Sequence, residues 1–300
     1  MITKERNSSM KRIRNYGVVA MVTLFLLAGC GTAPQKNEER VAFVSILPLK
    51  YFADKIAGER FKTEVLVPPG VGPETYAPTP KQIGSLSQAS LLFVTGHMAF
   101  EEAWKEGVQS VSDRLLLVNT SEGVDLIGEE VEHGDHTHLH GVDPHTWSSP
   151  AEAKIVARNI YDGFMKADPG HGEIYQQNFD RLLAEIDSVE KQVGELLAGV
   201  EHRKFLIFHP ALGYLARQYQ LEQLSIEFEG KNPTPRHMQT LVQQIKSSGI
   251  DLILMQKEFD KENAEVLAKE TGIRIVEIDP LDYQWSEQMV SMAKKIAGKE

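Results

Sequence analysis

From position 41 onward the chain alternates short apolar runs with longer stretches whose apolar positions recur every three or four residues. The runs 41–47, 62–67, 91–95 and 115–118 are rich in Val, Ile, Leu and Phe, and they predict buried strands. Between them, 49–58, 80–89 and 99–113 predict helices. Two helix starts are sharply marked. Thr79-Pro80 with Gln82 predicts an N-cap, a proline at the first helical position and a capping-box glutamine. Ser149-Pro150 with Glu152 repeats the arrangement ahead of a helix over 151–167, and Asp168-Pro169-Gly170 stops that helix.

The segment 171–201 is unusual. Phe179, Leu182, Leu183, Ile186, Val189, Val193, Leu196, Leu197 and Val200 fall three or four apart, forming one apolar stripe among charged residues. Thirty-one residues at a rise of ~1.5 Å span roughly 46 Å, longer than one small lobe, so the segment predicts a rigid strut. After it the alternation restarts. Strands are expected at 205–208, 224–228, 251–255 and 273–278, and helices near 211–219, 235–248, 259–270 and 286–297. Alternating elements of this kind imply parallel sheets covered by helices on both faces. The expected fold is therefore α/β: a lobe over 41–170, a linking helix over 171–202 and a second lobe over 203–300. No strong internal repeat is visible in the sequence.

The first forty residues read differently. Lys11, Arg12 and Arg14 precede an apolar run over 17–28, twelve residues long, short of the ~20 that a spanning helix needs. A signal peptide over 1–29 is expected, starting at Met1 or at Met10. The run closes on Leu27-Ala28-Gly29-Cys30, which resembles the lipobox of bacterial lipoproteins and implies a lipidated Cys30, with 30–40 as a polar tether. Cys30 is the single cysteine, so no internal disulfide and no thiolate metal site is available. Removing the leader leaves 27 basic against 41 acidic residues, a balance that disfavours nucleic acid and attracts cations.

Half of the ten histidines stand within 133–147: His133, His136, His138, His140 and His145. Imidazole is the commonest protein ligand for metals, and a run of this density is poor core material. The stretch predicts a mobile loop over 132–141 in which His133, Asp135, His136, His138 and His140 collect metal, followed by one placed ligand, His145. In open parallel sheets ligands bind beyond the carboxyl ends of strands. Four candidate ligands occupy such ends: Glu74, His145, His209 and Asp279. Each alone is an ordinary polar residue; the argument rests on all four standing at equivalent places, two from each half. Two imidazoles and two carboxylates suit Zn²⁺ or Mn²⁺, with Fe²⁺ a further option.

These residues carry a resemblance. Gly72-Pro73-Glu74-Thr75-Tyr76-Ala77-Pro78-Thr79-Pro80, Asp143-Pro144-His145-Thr146-Trp147-Ser148-Ser149-Pro150, His209-Pro210-Ala211-Leu212-Gly213-Tyr214-Leu215 and Ile278-Asp279-Pro280-Leu281 resemble, in order, the four ligand motifs of the zinc/manganese solute-binding proteins of ABC transporters, the cluster A-I, adhesin-like lipoprotein family. The match covers nearly all of 40–300. It implies two (β/α)4-type lobes joined by a rigid helix with the metal between them. It also implies a monomeric lipid-anchored receptor outside the cytoplasm, and delivery of the ion to a permease driven by an ATPase. The His-rich loop resembles that of zinc-importing members. One departure stands out. The family usually has histidine where this chain has Glu74, and a carboxylate there hardens the site toward manganese or iron. A loop histidine or His97 is the alternative donor to complete the shell. An envelope zinc hydrolase is the reading from another class, but neither His-Glu-x-x-His nor Gly-x-Ser-x-Gly occurs. Passive metal storage or surface adhesion is a fourth.

Overall fold

A computed structural model describes residues 40–112, 114–133, 136–227 and 232–299. The expected signal peptide, Cys30 and most of the tether lie outside the described residues, as does Asp135. Among the described residues no helix is long and apolar enough to cross a membrane.

The first half contains β1 (Val41–Val44), α1 (Leu47–Ala57), β2 (Lys62–Val65), α2 (Pro80–Ser85), β3 (Ala89–Val94), α3 (Ala99–Val111) and β4 (Leu116–Asn119). A hairpin, β5 (Glu129–His133) and β6 (His136–His140), follows, then α4 (Pro150–Ala167) and the long α5 (Gly172–Leu197). The second half contains β7 (Lys204–Ile207), α6 (Gly213–Gln218), β8 (Glu222–Ser225), α7 (Pro235–Ser248), β9 (Leu252–Gln256), α8 (Glu262–Thr271), β10 (Arg274–Ile278) and α9 (Trp285–Ile296). Both four-stranded sheets are parallel throughout, ordered β2-β1-β3-β4 and β10-β9-β7-β8. Numbered within each lobe, both read 2-1-3-4, so the two lobes share one topology although no repeat is visible in the sequence. In each the chain reverses its direction of travel across the sheet beside the first strand, which opens a crevice at the carboxyl ends there.

Strand alternation buries both faces of each sheet. Ala42 and Val44 face one core cluster and Phe43 another, while Phe205 and Ile207 share the first cluster and Leu206 joins a third. The largest cluster runs through both lobes along α5. Its stripe of Tyr175, Phe179, Leu182, Ile186, Val189, Val193 and Leu197 is buried against α1 and α4 on one side and α9 on the other. Burying one such side chain is worth about 1.5–3 kcal/mol, so packing rather than propensity holds this helix. The helix has 26 residues, about 39 Å at ~1.5 Å per residue, shorter than the expected strut. Beyond Leu197 the chain closes in a turn, with the Val200 N–H donating to the Leu197 carbonyl at 3.3 Å.

Polar bonds tie the lobes further. Trp147 Nε1 donates to the Pro280 carbonyl at 2.9 Å, and Trp285 Nε1 donates to the Trp147 carbonyl at 2.7 Å, with both rings buried. Tyr51 and Ser286 both donate to Glu185 on α5.

The expected helix caps at Thr79 and Ser149 each accept a backbone N–H from three residues on, and Thr234 ahead of α7 does the same. The His-rich segment requires a correction. Instead of an irregular loop, its backbone forms the β5–β6 antiparallel pair, with His136 opposite His133, His138 opposite Val131 and His140 opposite Glu129.

Candidate metal centre

Glu74 sits in a short 3-10 turn, Pro73–Thr75, in the loop that follows β2. The loop is tied down by its own side chains. Tyr76 Oη and Gln82 Nε2 both donate to the Leu66 carbonyl at 2.9 Å, and Gln82 belongs to the capping box that opens α2. The carboxylate is thus carried by a fixed turn although the residue itself is exposed.

His145 precedes the 3-10 turn Thr146–Ser148 and is only 5 % exposed. Its Nδ1 lies 2.7 Å from Asp143 Oδ1, which also accepts the His145 backbone N–H at 2.9 Å. A carboxylate only accepts, so Nδ1 carries the proton and Nε2 presents a lone pair. Asp143 fits there because residue 213 is glycine: a Cβ added at Gly213 would lie 2.5 Å from Asp143 Oδ2. The Tyr214 hydroxyl, one residue on, donates to the Asp143 carbonyl at 2.7 Å.

His209 lies two residues beyond β7 and repeats the arrangement. Its Nδ1 lies 2.6 Å from Glu227 Oε2, its ring stacks on Phe259 at 5.2 Å, and Gln256 clamps its backbone, accepting from N at 3.2 Å and donating to O at 2.6 Å. Burial alone would lower the His209 pKa. The hydrogen bond that His209 donates to Glu227 and the charges of Glu74, Glu227 and Asp143 outweigh it and hold the ring above its ordinary value. The pocket is therefore arranged to favour positive charge.

The donor atoms converge. His209 Nε2 lies 3.3 Å from His145 Nε2 and 3.3 Å from Glu74 Oε1, and the three donor atoms all fall within 4.8 Å of one another. They border a cavity of 460 Å³ between the lobes, which His97 also lines. Two neutral imidazoles and one carboxylate around a common point, each imidazole backed by a carboxylate, form a set suited to a divalent transition metal with a position left open.

Of the four expected ligands the structure brings Glu74, His145 and His209 together. Asp279 stands at the end of β10 as expected but outside this cluster. Its Oδ2 is paired with Lys257 and its Oδ1 accepts the Leu281 N–H at 3.1 Å. His97 is likewise outside the cluster. Of His133, His136, His138 and His140 the structure gives the backbone pairing alone. Sequence reading missed Glu227, Gln256 and Glu258. The strand-end rule that found His209 and Asp279 applies to them too, since Glu227 and Glu258 lie two residues beyond β8 and β9 and Gln256 is the last residue of β9. Asp143 stood inside a recognised motif, but its partnership with the histidine two residues on becomes visible only in three dimensions.

Residues 43–298 match the protein family described as "Zinc-uptake complex component A periplasmic". The chain is similar to the high-affinity zinc uptake system protein ZnuA of Bacillus subtilis (strain 168), 27% identical over 283 residues, which cover 89% of this chain and 88% of that protein. It is 25% identical over 276 residues to the zinc-binding lipoprotein AdcA of Streptococcus pneumoniae; that match takes in 88% of this chain and 54% of AdcA, so the chain spans about half the length of that relative. A crystal structure of ZnuA superposes with a TM-score of 0.79 at 31% identity, covering 87% of this chain and 99% of that one.

Proposed function

The chain belongs to the family of zinc-uptake complex A components, and from that premise we propose that it collects Zn²⁺ outside the cytoplasm and hands it to the permease of an ATP-driven importer. It is a metal-binding receptor and not an enzyme. The observation that carries the zinc assignment is the convergence of Glu74 Oε1, His145 Nε2 and His209 Nε2, with both imidazoles oriented by carboxylates. Zinc accepts three protein donors plus a water, and closing the shell with water leaves a ligand that a permease donor can replace. Asp279, held by Lys257, stays outside this shell. Cys30 anchors the receptor to the membrane, the receptor acts as a monomer, and the histidines of the β5–β6 hairpin concentrate zinc near the site.

Release follows from small shifts of the loops that carry Glu74 and His145. The shared core along α5 and the Trp147–Pro280 and Trp285–Trp147 bonds resist a wide rotation of the lobes. Metal competition on the soluble chain tests the assignment. One tightly held zinc that outcompetes manganese, lost in His145→Ala and His209→Ala, is expected. Manganese retained against excess zinc would overturn it. Manganese is the second reading, and the observation that favours it is Glu74 itself, a hard carboxylate in a position that the family usually fills with imidazole.

A further inference from the structure

Asp279 and Lys257 leave neighbouring parallel strands side by side. The register pairs Ile278 of β10 with Gln256 of β9, so the next residue on each strand projects from the same edge of the second sheet. There the Lys257 ammonium pairs with Asp279 Oδ2, while Asp279 Oδ1 is held by the Leu281 N–H. Both oxygens of the carboxylate are taken, and its side chain is only 14% exposed. The pair lines a cavity of 260 Å³ together with Glu258 and the loop residues Pro69 and Val71, immediately before Glu74. Glu258 also lies near the metal cluster: a Cβ added at Gly72 would lie 2.9 Å from Glu74 Oε2 and 3.9 Å from the Glu258 Cβ. One Glu258 oxygen is buried without a hydrogen-bond partner among the described residues. Lys257 is surrounded by negative charge. Its bond to Asp279 and the fields of Asp279, Glu258 and Asp282 outweigh partial burial and keep it protonated.

We propose that Lys257 is an internal cation that withholds Asp279 from the coordination shell and so sets the receptor's preference for zinc over manganese. The inference rests on the Glu74–His145–His209 site proposed above. With Asp279 engaged, an incoming ion meets two imidazoles, one carboxylate and water. Zn²⁺ is satisfied by four-coordination of that kind. Mn²⁺ prefers a larger shell richer in oxygen, so loss of the second carboxylate penalises it more. The ammonium also repels any dication from the Asp279 side, an effect shared by both metals. What separates the two metals is the withheld ligand.

The test compares wild type, Lys257→Met, Lys257→Arg, Asp279→Asn and the Lys257→Met/Asp279→Asn double variant. Zn²⁺ and Mn²⁺ affinities are read by chelator competition, and the visible spectrum of bound Co²⁺ reports coordination number. Lys257→Met is expected to raise Mn²⁺ affinity about tenfold and Zn²⁺ affinity about threefold or less, equal to about 1.4 kcal/mol on manganese. Its intense four-coordinate Co²⁺ bands should weaken as Asp279 joins the shell. Asp279→Asn is expected to be nearly silent in wild type and to erase the gain in Lys257→Met, the non-additivity expected of coupled neighbours. Lys257→Arg should keep the wild-type preference and spectrum. An unchanged metal ratio in Lys257→Met, or a tenfold loss of zinc affinity from Asp279→Asn alone, would overturn the proposal. His209→Ala in the same series separates the two readings. If it still binds zinc tightly, the three-ligand site has failed, whatever Lys257 does.

Discussion

Replacing Glu227 examines how the buried imidazole is prepared for its ion. Glu227 is 8% exposed and holds the His209 Nδ1 proton at 2.6 Å, which leaves Nε2 free to donate a lone pair. In Glu227→Gln the charge is lost, and the side-chain amide can rotate to offer N–H to Nδ1, which would place the proton on the metal-facing nitrogen. Loss of such an orienting partner costs about 10- to 100-fold in metal affinity, or about 1.4–2.8 kcal/mol. Glu227→Ala should lie at the upper end and Glu227→Gln at the lower. The pH dependence gives a sharper signature. In wild type the hydrogen bond to Glu227 and the surrounding carboxylates raise the His209 pKa, so protons compete with metal as pH falls through a window above the ordinary histidine value of about 6.5. Either substitution removes one of the causes, so the variant ring protonates at lower pH. The affinity deficit should therefore be widest near pH 8 and narrow toward pH 5.5. Zinc titrations across that range, with the melting temperature of the metal-free proteins as a control for folding, provide the assay. A deficit that stays constant with pH would show that Glu227 does not act through His209.

Gly213→Ala should displace Asp143, because the added Cβ would lie 2.5 Å from its carboxylate; roughly tenfold weaker zinc binding is expected by calorimetry, with a stability loss of about 1–3 kcal/mol in urea unfolding. Trp147→Ala, which empties a buried ring site and breaks the Trp147–Pro280 bond between the lobes, should cost about 3–5 kcal/mol in the same assay. For the metal-free protein, the raised His209 pKa stabilises the fold fully below the unfolded-state value of about 6.5, and that contribution is lost as pH rises through the higher folded value. Thermal unfolding should show this slope in wild type and a smaller one in His209→Gln.

Much of this molecule is legible in its sequence because the rules that shape it are local. Strands β1, β3, β7 and β9 are short runs rich in Val, Ile, Leu and Phe, and Thr79, Ser149 and Thr234 announce their helices by capping chemistry that needs no tertiary partner. His145 and His209 were found because parallel sheets place functional groups at strand ends. The rest depends on register. Lys257 is an unremarkable surface lysine until the pairing of Ile278 with Gln256 sets it beside Asp279. Glu227 gains meaning only from the ring it faces. The β5–β6 hairpin was obscured for a different reason. In His136-Thr137-His138-Leu139-His140 the histidines alternate with a period of two, which is a strand signal, but reading the segment by composition alone hid it. The common 2-1-3-4 order of the lobes left no trace in residue identity, since many sequences satisfy one pattern of buried strands and covering helices.

The most direct measurement is X-ray absorption at the zinc edge on the complex with one equivalent of metal. The account predicts a shell of two imidazole nitrogens with oxygen donors from Glu74 and water, unchanged when residues 133–140 are deleted. A shell of three or more imidazoles, or one that collapses with that deletion, would place the primary ion on the histidine hairpin and contradict the three-residue centre.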